Sequence, residues 1–412
     1  MADRQVDYLL IGGGLAGGNC ARWLRESGAE GSILLVGREP DLPYSRPPCS
    51  KAYLQGNKSR ADTLFRPEEW YREQRIEALT RVSATKLDAA EKKVKLSNRD
   101  EVTFDRALLA TGANVRRLNV PGSELEGLHY LRTLGNSDAI RADAAGKRVI
   151  LIGGSYIASE VAASLTELGS TCTIVMLESL VLSRGFGAQA GRFFQERLEQ
   201  HGVTVHGDDE LERFEGVDGR VTRVVTKSGR ELDADAVVLG TGAVPDVTLA
   251  RGAGLTLGES GGVLVDQYLE SSAPGIYAAG DMAEYESVVH GGRSIRVEHW
   301  DVAFNQGKTA ALNMLGREQA HDVVPYFFSD LSDWASLEYV GPASKWEEEV
   351  VRGSIDEGEF TVFYIYGGRL AAALSVGRSD DLEHARRLIA SGADLSSRTG
   401  ELGDLSSELG GL

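Results

Sequence analysis

The feature that most restricts the fold is a pair of glycine turns used twice in the same order. "VDYLLIGGGLAGGNCARWLRESG", from Val6, and "KRVILIGGSYIASEVAASLTELGS", from Lys147, each read as an apolar strand, a glycine-rich turn and a helix with small residues on one face. "DRALLATGANVRRL" at Asp105 and "DADAVVLGTGAVPDV" at Asp233 are strand-like runs that end in T-G-A, where glycine lets the chain turn sharply. The order fingerprint, T-G-A, fingerprint, T-G-A describes two nucleotide-binding units of one type, the second inserted into the first. Such a chain is α/β, with two Rossmann-like dinucleotide-binding domains.

In the first fingerprint Gly12, Gly14 and Gly17 supply G-x-G-x-x-G. The first glycine permits the tight turn, the second lets backbone N–H groups approach a pyrophosphate, and the third lets helix and strand pack. Glu39, closing the strand-like "SILLVGRE", is placed to accept hydrogen bonds from an adenosine ribose. The second fingerprint is less regular. Gly153 is followed by Ser155 and Ala158 where glycines are usual. Ser155 narrows the approach to a phosphate, and its hydroxyl is a donor that can compensate. Glu178, at the end of "STCTIVMLES", favours the 2′-hydroxyl of NADH over the 2′-phosphate of NADPH. The plainer alternative is a degenerate repeat that packs without binding. Two sites in one chain point to a flavin and a nicotinamide.

Composition narrows the rest. The 412 residues exceed one core, and the net charge of −17 argues against nucleic acid as a partner. Cys20, Cys49 and Cys172 are too far apart in sequence for a neighbouring redox pair or a thiolate zinc site. The histidines have no H-E-x-x-H spacing, so no metal is called for. "MADRQVDYLLIGGG" passes directly into a strand, which indicates neither secretion nor membrane insertion, and the cytoplasm is expected. The predicted domains are 1–112 with 246–323, holding FAD; 113–245, holding NADH; and a C-terminal α+β domain over 324–392. That last domain is built from aromatic, β-branched strands and a closing helix, "SDDLEHARRLIASG". Residues 393–412 have few large apolar side chains, which predicts a mobile tail.

"LPYSRPPCSKAYL", "ATGANVRRL", "GIYAAGD", "VEHWDVAFNQGKTAALNM" and "PYFFSD" together resemble the family of FAD-dependent, NADH-using ferredoxin and rubredoxin reductases, which includes apoptosis-inducing-factor-like proteins. The resemblance runs over about residues 5–390. It implies that Arg46 contacts FAD, that Lys51 lies beside the isoalloxazine, and that Glu160 pairs with that lysine and faces the nicotinamide. It implies further that Asp281 bonds the ribityl and pyrophosphate region, that Glu298, His299 and Trp300 open a helix at the flavin, and that Phe328 lies near the ring edge. Leu15, Ala16, Arg38, Val82, Ala110, Thr111, Gly112, Arg132, Tyr156, Ile157, Thr241, Gly242 and Gly280 are further candidate cofactor-binding residues. Lys51 and Glu160 are the candidate catalytic pair.

The function implied is transfer of electrons from NADH through FAD to a small iron–sulfur protein, a ferredoxin or a rubredoxin, that serves an oxygenase. No membrane is involved, and a homodimer is allowed. Cys49 stands where the family has leucine. It reads as a small buried replacement, or as a redox thiol of the kind used by NADH oxidases, peroxidases and disulfide reductases. A third reading is an apoptosis-inducing-factor-like NADH sensor. Trp334 and Tyr339 are core residues or an acceptor surface, and the arginines at 60, 66, 72 and 75 are a solvated face or a basic dock.

Overall fold

A parallel sheet forms because its strands are apolar on both faces. Ile33–Val36 is buried at every residue, and Leu9, Leu10 and Ile11 are equally enclosed. The computed structural model describes residues 3–343 and 345–412 and groups them into two compact units. The first unit comprises 1–45, 61–114 and 244–326. Its seven-stranded sheet has Asp3–Ile11 at the centre, flanked in parallel by Ile33–Val36 and Glu101–Leu109. The nine-residue strand Glu101–Leu109 serves two partners. Its start pairs with the antiparallel strand Lys93–Leu96, and its end pairs in parallel with Ile276–Ala278.

Two helices of this unit meet with almost no side chain between them. Leu15–Glu26 crosses Trp300–Met314 at Gly307, where a Cβ would lie 2.5 Å from the Ala16 carbonyl oxygen. Asn19 adds a hydrogen bond from Nδ2 to the Phe304 carbonyl, 2.6 Å long. The small-residue face read in the first fingerprint is therefore a helix–helix contact as well as a helix–strand one.

The second unit comprises 46–60, 115–243 and 327–412. It has a five-stranded parallel sheet in the order Thr204–His206, Thr171–Val175, Arg148–Ile152, Ala236–Leu239, Leu128–Tyr130. A three-stranded antiparallel sheet, Leu211–Val217, Arg220–Thr226 and Glu231–Asp233, accompanies it. The C-terminal region forms a five-stranded antiparallel sheet, Tyr326–Leu331 through Arg369–Val376, with the helix Ser379–Ser391 against it.

Two features of the organisation lie beyond local pattern. Residues 46–60 group by contact with 115–243 and 327–412 rather than with the rest of 1–112. The reason is a set of hydrogen bonds that local pattern cannot reveal: Ser137 Oγ donates to the Cys49 carbonyl at 2.8 Å, Ser164 Oγ to the Ser50 carbonyl at 2.7 Å, and Tyr53 Oη to Asp138 at 2.8 Å. Residues 393–412, expected from composition to form a mobile tail, are docked in the structure. Leu395, Leu402 and Leu409 are buried, and Arg352 donates to the carbonyls of Asp404 and Ser407. Arg387 holds the carbonyls of Leu409 and Leu412. Three spaced leucines and two arginines on backbone carbonyls dock a segment whose composition reads as loose.

Candidate functional site

In the first unit the fingerprint and the T-G-A turn are neighbouring strand ends. Ala110 N donates to the Ile11 carbonyl at 2.7 Å, and a Cβ on Gly12, whose φ is 131°, would lie 2.0 Å from the Ala110 oxygen. A Cβ on Gly17 would meet the Gly12 oxygen at 2.2 Å. Gly14 differs, because nothing lies within 4 Å of where its Cβ would be. The helix Leu15–Glu26 starts at that opening without a side-chain cap, so its first N–H groups, at Leu15, Ala16 and Gly17, receive no capping acceptor from the Gly14 position. Open space beside an uncapped helix start fits a pyrophosphate.

The remaining residues expected on this side gather around the same strand ends. Glu39 accepts the Tyr44 hydroxyl at 2.6 Å, and Arg38 pairs with Asp246 at 2.8 Å and with Asn114 at 2.6 Å. Thr111 donates its hydroxyl to the Asp246 carbonyl, the Gly112 carbonyl accepts from Asp246 N, and Val82 N donates to Gly37. Gly280 N donates to Gln306 Oε1 at 2.8 Å, and the buried Gln306 amide nitrogen has no protein acceptor among the described residues. A ligand acceptor would satisfy it. Arg296 binds both the Asp281 carbonyl and the Glu298 carboxylate. His299 precedes the uncapped helix Trp300–Met314, and burial pushes its imidazole down to about 4, so it is neutral near pH 7. Trp300 stacks on Phe304 and donates Nε1 to Ser45 Oγ at 3.1 Å.

In the second unit the Gly153 turn repeats the logic with one substitution explained. A Cβ on Gly153 would lie 2.5 Å from the Gly240 oxygen. Ala158 is tolerated in the third position because the residue it faces is Gly240, whose own Cβ would approach it to 3.0 Å. The Ser155 hydroxyl donates to the Gly240 carbonyl at 3.2 Å. It braces the turn, and the helix Tyr156–Glu167 is left without a side-chain cap at Ser155. By contrast, Leu134–Ala144 is closed by a Thr133/Asn136 capping box. Glu178 reaches over the turn, its Oε2 3.3 Å from the Cβ position of Gly154. Tyr156 packs on Phe327 at 4.9 Å, and Ile157 is half-buried beside it in sequence. The Thr241 hydroxyl donates to the Arg116 carbonyl, and the Gly242 carbonyl accepts from Arg116 N.

The same unit assembles the predicted catalytic pair. Pro47–Ser50 forms a single 3₁₀ turn, stiffened by its two prolines, with Lys51 at its end. Lys51 Nζ lies 3.2 Å from Glu160 Oε1 and 4.7 Å from the centre of the Phe328 ring. Glu160 is buried, and each of its oxygens accepts a serine hydroxyl: Ser50 at 2.5 Å on Oε2 and Ser329 at 2.6 Å on Oε1. Burial raises the carboxyl above the ordinary carboxylate range, while Lys51 and the two serines pull against that rise. Arg46 opens the turn and donates to the Arg132 carbonyl at 2.6 Å. Ser50, Ser329 and Asp330 are members of this cluster that sequence reasoning passed over, although each sits beside a chosen residue in "CSK" or "FFSD".

The weighed residues also find their places. Cys49 is buried in the 3₁₀ turn. Tyr339 is core, packed on Phe186, whereas Trp334 lies half-exposed, stacked on His201 at 4.1 Å and bonded to Glu167. Arg60 pairs with Asp138, Arg66 covers Phe65, and Arg72 and Arg75 are exposed.

Comparison with known proteins agrees with this geometry. The profile described as pyridine nucleotide-disulphide oxidoreductase matches residues 6–307, and the reductase C-terminal profile matches 326–411. Rhodocoxin reductase of Rhodococcus erythropolis is 34% identical over 386 residues, 93% of this chain and 90% of that one. The crystal structure of the ferredoxin reductase for the CYP199A2 system from Rhodopseudomonas palustris superposes with a TM-score of 0.92 at 34% identity, covering 98% of this chain and 99% of that one. The reductase in the covalent putidaredoxin reductase–putidaredoxin complex gives 0.92 at 31% identity, covering 98% and 97%. With both fingerprints, the Lys51–Glu160 pair and a matching C-terminal sheet in place, the chain belongs to the pyridine nucleotide-disulphide oxidoreductase family, as an oxidoreductase of its ferredoxin-reductase group.

Proposed function

We propose that this chain takes electrons from NADH and passes them singly to a small [2Fe–2S] ferredoxin or a rubredoxin that supplies an oxygenase in the cytoplasm. Segments 1–112 and 246–323 hold most of the FAD site, and 113–245 holds NADH. Bound FAD supplies the chemistry, accepting two electrons as a hydride and releasing them one at a time. The chain supplies position and charge. The Gly14 opening and the start of Leu15–Glu26 take the FAD pyrophosphate, with Glu39 at the ribose. The Gly153 turn takes the nicotinamide dinucleotide, and Glu178 prefers a ribose 2′-hydroxyl to a phosphate. Glu160, fixed at both oxygens, orients the nicotinamide, and the Lys51 ammonium stabilises negative charge that develops next to it.

The observation that carries this reading is the braced pair: a buried carboxylate held by Ser50, Ser329 and Lys51 is an expensive arrangement for a structural site. NADH consumption in air, with and without a [2Fe–2S] ferredoxin at low and high salt, tests it. Strong stimulation by the ferredoxin, weakened by salt, is expected. Slow consumption in both cases with a lasting long-wavelength absorption band sinks the reading in favour of a sensor. Glu178→Ala should narrow the preference for NADH over NADPH by roughly tenfold in kcat/KM.

A further inference from the structure

Lys51 has a second carboxylate neighbour that the hydride step leaves unused. Its Nζ is 3.2 Å from Glu160 Oε1 and also 3.2 Å from Asp330 Oδ2. The three side chains are 4%, 14% and 38% exposed in the order Glu160, Lys51, Asp330, a continuous grade from interior to solvent. Beside this turn Asp138 accepts from Tyr53 and pairs with Arg60.

The proposed reaction needs such a route. Oxidation of one NADH by two one-electron acceptors yields NAD⁺, two reduced acceptors and one proton, so every turnover leaves a proton to be carried out of an enclosed place. We propose that Glu160, Lys51 and Asp330 form a proton path to solvent, with Asp330 as its outer acceptor. The inference rests on the reductase reading above. Glu160 would take up first the proton that an N–H of bound reduced FAD loses as the electrons leave, an O–H bond forming as that N–H bond breaks. Its O–H bond then breaks as an N–H bond forms on Lys51, while one of the original Lys51 N–H bonds breaks and an O–H bond forms on Asp330. Lys51 ends as the ammonium it began as, no electrons move, and Asp330 gives the proton to water. Burial favours the first step by making protonated Glu160 accessible, and the Phe328 ring beneath Nζ keeps the ammonium between its two acceptors.

The test is a stopped-flow experiment on the FAD-loaded protein in weak buffer with a pH-indicator dye. The protein is reduced by one equivalent of NADH and then mixed with ferricyanide. For the wild type, one proton per NADH should appear in step with flavin reoxidation. Asp330→Asn should slow proton release and reoxidation together by about tenfold, and by clearly more than it slows reduction by NADH, the weak end of general acid–base effects because water partly replaces an exposed carboxylate. Added formate should restore the rate, and Asp330→Glu should stay near the wild type. Proton release at the wild-type rate in Asp330→Asn overturns the path. Equal slowing of the NADH step also overturns it, because Asp330 would then only brace Lys51. Should Asp330→Asn fail to hold FAD, the wild-type reoxidation rate in D₂O decides: no slowing rejects a proton path. Wild-type protein that NADH cannot reduce brings down the reductase reading itself, a different and distinguishable failure.

Discussion

At the scale of single residues, the site depends on two kinds of side chain: those that tune a charge and those that hold it still. Glu160 has both its oxygens bonded to serines, so Glu160→Gln alters charge with little change in shape. Reduction of the flavin by NADH should slow on the order of 10²-fold, measured by single-turnover absorbance. The wild-type rate should also fall as pH drops through a value above the ordinary carboxylate range, because burial raises the Glu160 pKa and the ionised form orients the nicotinamide. Glu160→Gln should lose that acidic limb. His321 makes a separate prediction about stability. It is buried against Tyr285, shares a hydrogen bond with Thr309, and burial pushes it from 6.5 down to about 4. Its folded pKa lies below its unfolded one, so the unfolded chain binds the extra proton between those values. Stability is complete above about pH 6.5 and falls as pH drops, by on the order of 2 kcal/mol at pH 5 from this residue. Urea titrations of His321→Gln against wild type at pH 5 and pH 8 should show a shallower acid loss in the variant.

At the scale of elements, the glycine turns separate what the fold needs from what a ligand needs. Gly12→Ala would drive a Cβ to 2.0 Å from backbone, so the variant should be destabilised by several kcal/mol or fail to fold. Gly14→Ala meets nothing within 4 Å, so its melting temperature without FAD should match the wild type while FAD retention on dilution falls by about tenfold. Comparable loss of apoprotein stability in the two variants would show that the Gly14 opening is not a ligand site. This contrast was only partly legible in the sequence. The spacing of Gly12, Gly14 and Gly17 announces the turn, because each role is local to a strand, a loop and a helix. The exchange between Ala158 and Gly240 was not legible, since those residues are 82 positions apart and meet only once the strand Ala236–Leu239 has been laid beside Arg148–Ile152. Ser50, Ser329 and Asp330 escaped for the same reason. Their function lies in reaching the Lys51–Glu160 pair from two separate segments, the serines at the carboxylate and Asp330 at the ammonium, and such side chains in a loop or strand carry no periodic signal.

At the scale of the whole chain, the last twenty residues test how far composition can be trusted. The stretch from Ala393 holds serines, glycines and acids, and reads as unable to repay the cost of being ordered. In the structure three of its five leucines, Leu395, Leu402 and Leu409, are buried, while Leu405 is exposed. The short helix Thr399–Gly403 lies along Glu348–Ser354, the outermost strand of the C-terminal sheet, so the segment covers an edge that would otherwise be open to pairing. Arg352, nearly enclosed on that strand, depends on the segment for three carbonyl acceptors, those of Leu402, Asp404 and Ser407, and also has Asp381 at 3.5 Å. Limited trypsin digestion distinguishes a docked segment from a loose one. Arg398 is the target, a half-buried residue ion-paired with Glu401 inside the docked stretch. In wild-type protein, cleavage after Arg398 should be slow and limited by detachment of the segment, because a protease needs that opening first. Leu402→Ala removes a fully buried side chain and should cost about 2–5 kcal/mol. It should therefore speed that single cleavage by at least about tenfold while leaving FAD retention unchanged. Rapid cleavage after Arg398 in the wild type would restore the mobile tail that composition suggests, and would leave the edge strand and Arg352 to be covered in some other way.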